Sequence, residues 1–314
     1  MKNTAIIIIY FGNIPNYIKL FLKSCAYQEN IDFYFFTDWN WHNLYIPDNV
    51  KNIPFDKECF NDLATRKCSI RIDIANGYKL CDIKPAWPHI FEDYVKEYNF
   101  VGWCDIDLIF GDINSIFSES LKMQYDLLTV TKDYISGALT IMRNIDSMRL
   151  LYQQARGWKQ IFQDERHFAF DEILRVKGVD YESFSDAVKR LNNTSFSALF
   201  MNVAYECRPN LVVWDRGHVF AEGNSYIFFH YVVAKQSAFF VIPSWSTIPD
   251  RFYVNKWGFY KEEKNPLLFC QLFVNLNYIR QIYQSMKKKS TTAIKLFQRG
   301  DLKKILKVAI KQLR

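Results

Sequence analysis

The chain holds no CxxC pair, no apolar run long enough to span a bilayer, no internal repeat and no low-complexity linker. Its seven cysteines are odd in number and unpaired in spacing, which speaks against a disulfide framework and a zinc site and for a reducing compartment. The start, Met1-Lys2-Asn3-Thr4 followed by the apolar residues Ala5 to Phe11, has no small-residue cleavage site behind it, so it does not read as a signal peptide. A cytoplasmic location is the expectation. Nucleic acid is not an expected partner, because no RNA- or DNA-binding motif occurs and the basic tail is not interleaved with aromatics. What is present is core material: of 314 residues, 49% are hydrophobic and 17% aromatic, which excludes a disordered chain. The formal charge of +7 is local, with Lys and Arg densest after Gln284.

Ala5 to Tyr10 is an isoleucine-rich run ending in Phe11-Gly12-Asn13, the pattern of a buried central strand entering a loop. Ile14 to Tyr27 carries apolar residues at helical spacing, and Ile31 to Thr37 is an aromatic-rich strand closed by Asp38. Strand, helix and strand in this order predict a right-handed βαβ unit. Such sheets bind ligands beyond the carboxyl ends of their strands, so Tyr10, Phe11, Gly12 and Asp38 are candidates for contact with a nucleotide. The loop Tyr10-Phe11-Gly12-Asn13-Ile14-Pro15 lacks the glycine-rich, basic phosphate loop that a nucleotidyltransferase brings.

Further along, the pattern predicts helices over 57–74 and 86–98, the latter opened by Pro85, and a strand over 100–104. Strands follow over 125–131, 138–143, 211–214 and 226–233, with helices over 145–155 and 170–176. The expectation is an α/β domain over residues 1–265 and a helical C-terminal segment over 266–314. In that segment Leu302, Ile305, Leu306, Ala309, Ile310 and Leu313 share one helical face, and Lys303, Lys304, Lys307 and Lys311 share the other. A basic amphipathic helix suits an anionic membrane surface, and packing on the domain or on a partner is the competing reading.

The most informative segment is Cys104-Asp105-Ile106-Asp107. Residues i and i+2 of an extended chain point to one side, so Asp105 and Asp107 face one site while Ile106 enters the core. Two adjacent carboxylates repel each other unless a cation joins them, and Mg²⁺ or Mn²⁺ binds through one or two carboxylates plus substrate phosphates. A DxD triplet alone is most often a solvated turn. Here Phe100-Val101-Gly102-Trp103-Cys104 leads into it and Leu108-Ile109-Phe110 follows, flanks that a surface turn would not have.

Three segments together carry a family resemblance: Lys79-Leu80-Cys81-Asp82-Ile83-Lys84-Pro85, Gly102-Trp103-Cys104-Asp105-Ile106-Asp107, and Ser136-Gly137-Ala138-Leu139-Thr140-Ile141-Met142-Arg143-Asn144. Between Ala5 and His230 the chain resembles bacterial glycosyltransferase-like proteins found with capsule and lipopolysaccharide genes. That implies a GT-A fold (the Rossmann-like fold of nucleotide-diphospho-sugar transferases), a nucleotide-sugar donor, and Mn²⁺ or Mg²⁺ at Asp105 and Asp107. A more distant likeness is to glycogenin and the lipopolysaccharide galactosyltransferases, which complete the metal site with a histidine and hold the diphosphate with a following lysine. It implies His230 as third ligand and Lys235 on the phosphates, although the glycine-containing spacing before that lysine is missing here. An imidazole ligand favours Mn²⁺ over Mg²⁺. A core histidine in an aromatic strand is the competing reading of His230.

Lys84 precedes Pro85, where extended backbone is favoured, and either points at the donor phosphates or base or is a solvated loop lysine. Arg71, on the helix expected before it, carries the same two readings, and Asp82 is a candidate acceptor for a base or ribose hydroxyl. Gly137 either lets a donor sugar approach the backbone or is an ordinary turn glycine. Asp171 and Glu172 are candidates for the base that deprotonates the acceptor, though the first turn of a helix attracts acids for its dipole alone. Trp214-Asp215-Arg216-Gly217-His218 lines the acceptor pocket or is a simple loop. The expected activity is transfer of a hexose from a nucleotide-diphosphate donor, with UDP the expected nucleotide, to a growing surface glycan or lipid-linked glycan at the inner face of the cytoplasmic membrane. The rival is a non-catalytic sugar- or nucleotide-binding protein on the same scaffold.

Overall fold

The structure is a computed structural model that describes residues 2–74, 76–175, 178 and 180–262. The C-terminal segment over 266–314, with its amphipathic tail, lies outside the described residues.

Four parallel strands begin the fold: β1 (Thr4–Tyr10), β2 (Ile31–Thr37), β3 (Val50–Pro54) and β4 (Phe100–Cys104). β1 pairs with β2 from Thr4↔Ile31 to Tyr10↔Thr37 and with β4 from Thr4↔Phe100 to Ile7↔Trp103. Flanked on both sides, β1 buries both its faces, which is why its sequence does not alternate. Ala5, Ile7 and Ile9 pack into one core with Phe60, Trp87 and Trp103, whereas Ile6 and Ile8 pack into another with Phe21, Phe33 and Phe110. The helix α1 (Ile18–Cys25) lays Ile18, Phe21, Leu22 and Cys25 on that second core and completes the expected βαβ unit.

The chain then adds β5 (Leu108–Phe110), β6 (Leu127–Thr129), β7 (Leu139–Arg143), β8 (Ala198–Phe200) and β9 (Ala204–Tyr205). The main sheet has the order β3-β2-β1-β4-β7-β6-β8, with β7 antiparallel to β4 and β6. The last strands are β10 (Val212–Asp215), β11 (His218–Ala221), β12 (Asn224–Tyr226), β13 (Phe228–His230), β14 (Arg251–Asn255) and β15 (Gly258–Tyr260). Five of them form an antiparallel sheet, β12-β11-β10-β14-β15, over a third core that holds Trp214, Phe252 and Phe259. β13 instead lies between β5 and β9 in a small sheet of its own. Among the described residues no helix is long and apolar enough to cross a membrane.

The helices differ from expectation where proline or burial intervenes. α2 (Lys57–Cys68) stops six residues short of Ile74, because Ser69 turns left-handed at φ 54°. The helix expected over 86–98 begins earlier and is broken: α3 (Lys79–Ile83), a 3-10 turn at Lys84–Ala86, then Trp87–Ile90 and Glu92–Val95. Pro85 and Pro88 lack the N–H donors that would keep one ladder running. In place of a helix over 170–176, the described residues show a turn at Phe170 and Asp171 after Ala169, which is left-handed at φ 56°. The strand expected over 226–233 is divided between β12 and β13.

Candidate active site

β4 delivers the DxD triplet to the carboxyl edge of the parallel sheet, and β5 takes the chain back into the core. Ile106 packs into the second core, as expected, although the triplet is a bend between two strands rather than extended strand and Asp107 is as buried as Ile106. β13 pairs antiparallel with β5, and the match His230↔Leu108 sets the imidazole beside Asp107, with Nε2 3.3 Å from Oδ1. One ligating atom from each of Asp105, Asp107 and His230 falls within 4.8 Å of the others. The histidine Nε2 is buried and has no hydrogen-bond partner, while Nδ1 meets Glu206 Oε1 at 3.0 Å. Two carboxylates and an otherwise unpartnered imidazole nitrogen form a donor set that could hold a divalent metal ion.

Charge balances tightly here. Burial alone would lower the His230 pKa, but the Asp107 and Glu206 carboxylates on its two sides push it up to about 10. Burial would raise Asp107, yet His230 and the Lys235 ammonium, 2.6 Å from its Oδ2, hold it well below the usual carboxylate range. Lys235 lies in a 3-10 turn after β13, with its ammonium over the Tyr17 ring at 5.0 Å and its side chain part exposed.

On the other side of Asp105 is a second cluster. Lys84 Nζ donates to Asp105 Oδ1 at 2.6 Å and to the Gly137 carbonyl at 2.9 Å, and lies 3.7 Å from Asp171 Oδ2. Contrary to the solvated or extended reading, Lys84 is buried and helical (φ −45°, ψ −46°). Two acceptors in the interior and the nearby Asp171 carboxyl outweigh the preference of a residue before proline for extended backbone. Glu172 Oε1 accepts from the Gly137 amide at 3.0 Å. Burial pushes the Asp171 carboxyl up to about 8, against the pull of Lys84, and burial also raises Glu172.

Gly137 is required by space. A Cβ there would stand 2.4 Å from Asp171 Oδ2, 3.1 Å from Glu172 Oε1 and 3.3 Å from Lys84 Nζ. Gly137→Ala should therefore displace both carboxylates and the paired Lys84, a shift of about an ångström that a crystal structure of the variant would show. A thermal melt close to that of the wild type would separate this effect from loss of fold.

Tyr10 is the last residue of β1, and Phe11, Gly12 and Asp38 lie beyond the carboxyl ends of β1 and β2, as expected. Gly12, at φ 95°, donates its amide to Asp38 Oδ1 and Oδ2 at 2.9 and 3.1 Å, tying the two loops together. Tyr10 packs on Trp39 at 5.2 Å between ring centroids, and Phe11 on Phe60 at 6.2 Å.

Other expectations are corrected. Asp82 is fully buried and takes Lys79 Nζ at 3.0 Å together with the amides of Phe168 and Phe170, so it has no oxygen left for a base or ribose. It supports the turn that presents Asp171 from below. Asp82→Ala should cost about 3–5 kcal/mol in urea unfolding, since it strands the buried Lys79 ammonium without its counter-charge. Arg71 lies past the end of α2, exposed on the surface, and its ion pair among the described residues is with Asp73 at 3.8 Å. Arg71 is therefore not brought to the site. Trp214 to His218 is the hairpin between β10 and β11, with Arg216 and Gly217 at positive φ and Gly217 against Tyr27. Asp171 and Glu172 are not in a helical first turn, so a helix dipole does not account for them. Glu206 and Tyr17 carried no motif: only the pairing of β9 with β13 and the turn after β13 bring them to the site.

These features define an α/β protein built on a mainly parallel seven-stranded sheet, with a carboxylate–histidine cluster at the carboxyl edge of its parallel strands. The chain belongs to the family described as "Family of unknown function (DUF6625)", whose model matches residues 6–247. No curated protein matches it. Among solved structures it is similar to the galactosyltransferase LgtC in complex with donor and acceptor sugar analogues, at 11% identity and TM-score 0.37, over 64% of this chain and 75% of that one. It is also similar to the apo-form glycosyltransferase GlyE of Streptococcus pneumoniae TIGR4, at 13% identity and TM-score 0.33, over 63% of this chain and 45% of that one. Mouse xyloside xylosyltransferase 1 matches at 9% identity and TM-score 0.37, over 65% of this chain and 87% of that one.

Proposed function

We propose that the protein is a metal-dependent glycosyltransferase that moves a hexose from a UDP-linked donor to a growing surface glycan of lipopolysaccharide, O-antigen or capsule type. The observation that carries this reading is the convergence of Asp105, Asp107 and His230 at the strand ends, flanked by Lys235 on one side and by the buried Asp171 and half-buried Glu172 on the other. A divalent ion held there supplies Lewis acidity to the departing diphosphate. Lys235, part exposed and beside Asp107, is placed to pair with phosphate oxygens. Lys84, buried against Asp105, positions that carboxylate and leaves phosphate binding to Lys235. Asp171 or Glu172 takes the proton of the acceptor hydroxyl, and Gly137, having no Cβ, leaves the space that these two carboxylates occupy.

Two sequence features support a cytoplasmic enzyme attached to the inner face of the membrane: the unpaired cysteines, and the basic amphipathic pattern from Asp301 to Arg314, which suits anionic lipid. The test is release of nucleoside diphosphate from a panel of nucleotide-sugars, with Mn²⁺ and with EDTA, lipid and glycan acceptors supplied. Donor-selective, EDTA-sensitive turnover is the expected result. Binding of a donor with no turnover under any of these conditions would replace the enzyme with a sugar-nucleotide-binding protein.

A further inference from the structure

We infer that Glu206 is a positioning residue that fixes the tautomer and aim of His230 toward a divalent cation, an inference that rests on the metal reading of Asp105, Asp107 and His230. The small sheet β5-β13-β9 is built around that histidine. On one side β5 brings the end of the DxD triplet, through His230↔Leu108. On the other, β9 runs parallel to β13 through Phe228↔Ala204 and Phe229↔Tyr205, and continuing that register by one residue sets Glu206 beside His230. Neighbouring strands lie about 4.8 Å apart, close enough for a carboxylate to reach the ring of the adjacent strand. Glu206 Oε1 does so, at 3.0 Å from Nδ1.

A neutral imidazole carries its proton on one nitrogen and a lone pair on the other, and the partner of one nitrogen decides which. With Nδ1–H donated to Glu206, the proton that an incoming divalent cation displaces is the one on Nε2, and the lone pair it needs falls there. That is the buried nitrogen without a hydrogen-bond partner, and it faces Asp107. Metal-bound histidines are commonly oriented by such an outer carboxylate, which also makes the ring a better donor. The support is rigid: Tyr205 is buried, its ring lies 6.0 Å from that of Phe229 on β13, and its hydroxyl donates to Glu222 at 3.0 Å.

The experiment is Mn²⁺ titration of the full-length protein in the presence of UDP, with free Mn²⁺ followed by electron paramagnetic resonance and imidazole nitrogen coupling read by spin-echo modulation. Glu206→Ala should weaken Mn²⁺ binding by about 10–100-fold and diminish the nitrogen modulation. Glu206→Gln, whose amide oxygen still accepts from Nδ1–H, should recover most of the affinity, a rescue that a merely structural role would not single out. Wild-type affinity and undiminished nitrogen coupling in Glu206→Ala, or a glutamine variant no better than alanine, would overturn the assignment to Glu206 alone. Mn²⁺ bound by the wild type with no nitrogen signal, or no Mn²⁺ bound at all, would remove His230 from the metal site and the role of Glu206 with it.

Discussion

Asp107→Ala is expected to reduce metal-dependent release of nucleoside diphosphate by about 10³-fold or more, the scale of losing a principal electrostatic contact to the transition state. Asp107 is where three separately placed groups meet: the triplet after β4, His230 from β13 and Lys235 from the following turn. His230 and Lys235 overcome the cost of its burial and hold its pKa well below the usual range, so it is ionised across the working pH. Alanine removes one ligand and leaves two cationic side chains without their shared counter-charge. Asp107→Asn, which keeps the volume but not the charge, should lose nearly as much, because charge rather than shape is what the cation requires. Asp105→Ala should differ in kind, since Asp105 also holds Lys84 and through it the carboxylates around Gly137. Residual turnover in Asp107→Ala that EDTA does not affect would show that the metal is not held here.

Much of this site was legible because burial leaves a mark on sequence. β1, β2 and β4 are unbroken apolar runs, and two aspartates set into such a run need a partner wherever they fold. The positions beyond β1 and β2 followed from strand direction alone. Asp82 shows where that reasoning stops. A carboxylate next to a motif looks the same in sequence whether its partner is a ribose or a lysine three residues earlier on the same helix, and here it is Lys79. Lys84 was misread for a related reason: local preference before a proline is weak beside the interior acceptors that seize its ammonium. Glu206 left no trace at all, because 24 residues separate it from His230 and only strand pairing joins them. The turn holding Asp171 was read as a helix, since residues 170–176 carry helical spacing while the buried links from Asp82 to the Phe168 and Phe170 amides impose a turn.

Asp171→Asn should raise stability and abolish activity together. The Asp171 carboxyl has a pKa of about 8 against an ordinary 3.8, chiefly through burial. Lys84 pulls the other way but does not reverse this, since its ammonium is shared with Asp105 at 2.6 Å, and the neighbouring Glu172, Asp105 and Asp82 carboxylates add to the rise. Between about pH 4 and pH 8 the folded protein therefore keeps a proton that the unfolded chain releases. Stability supplied by that proton is complete below pH 4, falls as pH rises through the window and levels off above 8. Asparagine is neutral at every pH, so the variant should exceed wild type at pH 8.5 by on the order of 2 kcal/mol, roughly 4–8 °C in melting temperature, and the gap should close at pH 4. The wild-type rate should climb through pH 7–8 as the carboxylate forms, and the variant should lose that climb along with about 10²–10⁴ in kcat. Opposite signs for stability and rate identify a residue kept for chemistry at the expense of the fold. A variant less stable than wild type at pH 8.5 would instead make Asp171 an ionised partner of Lys84, and the acceptor proton would then fall to Glu172.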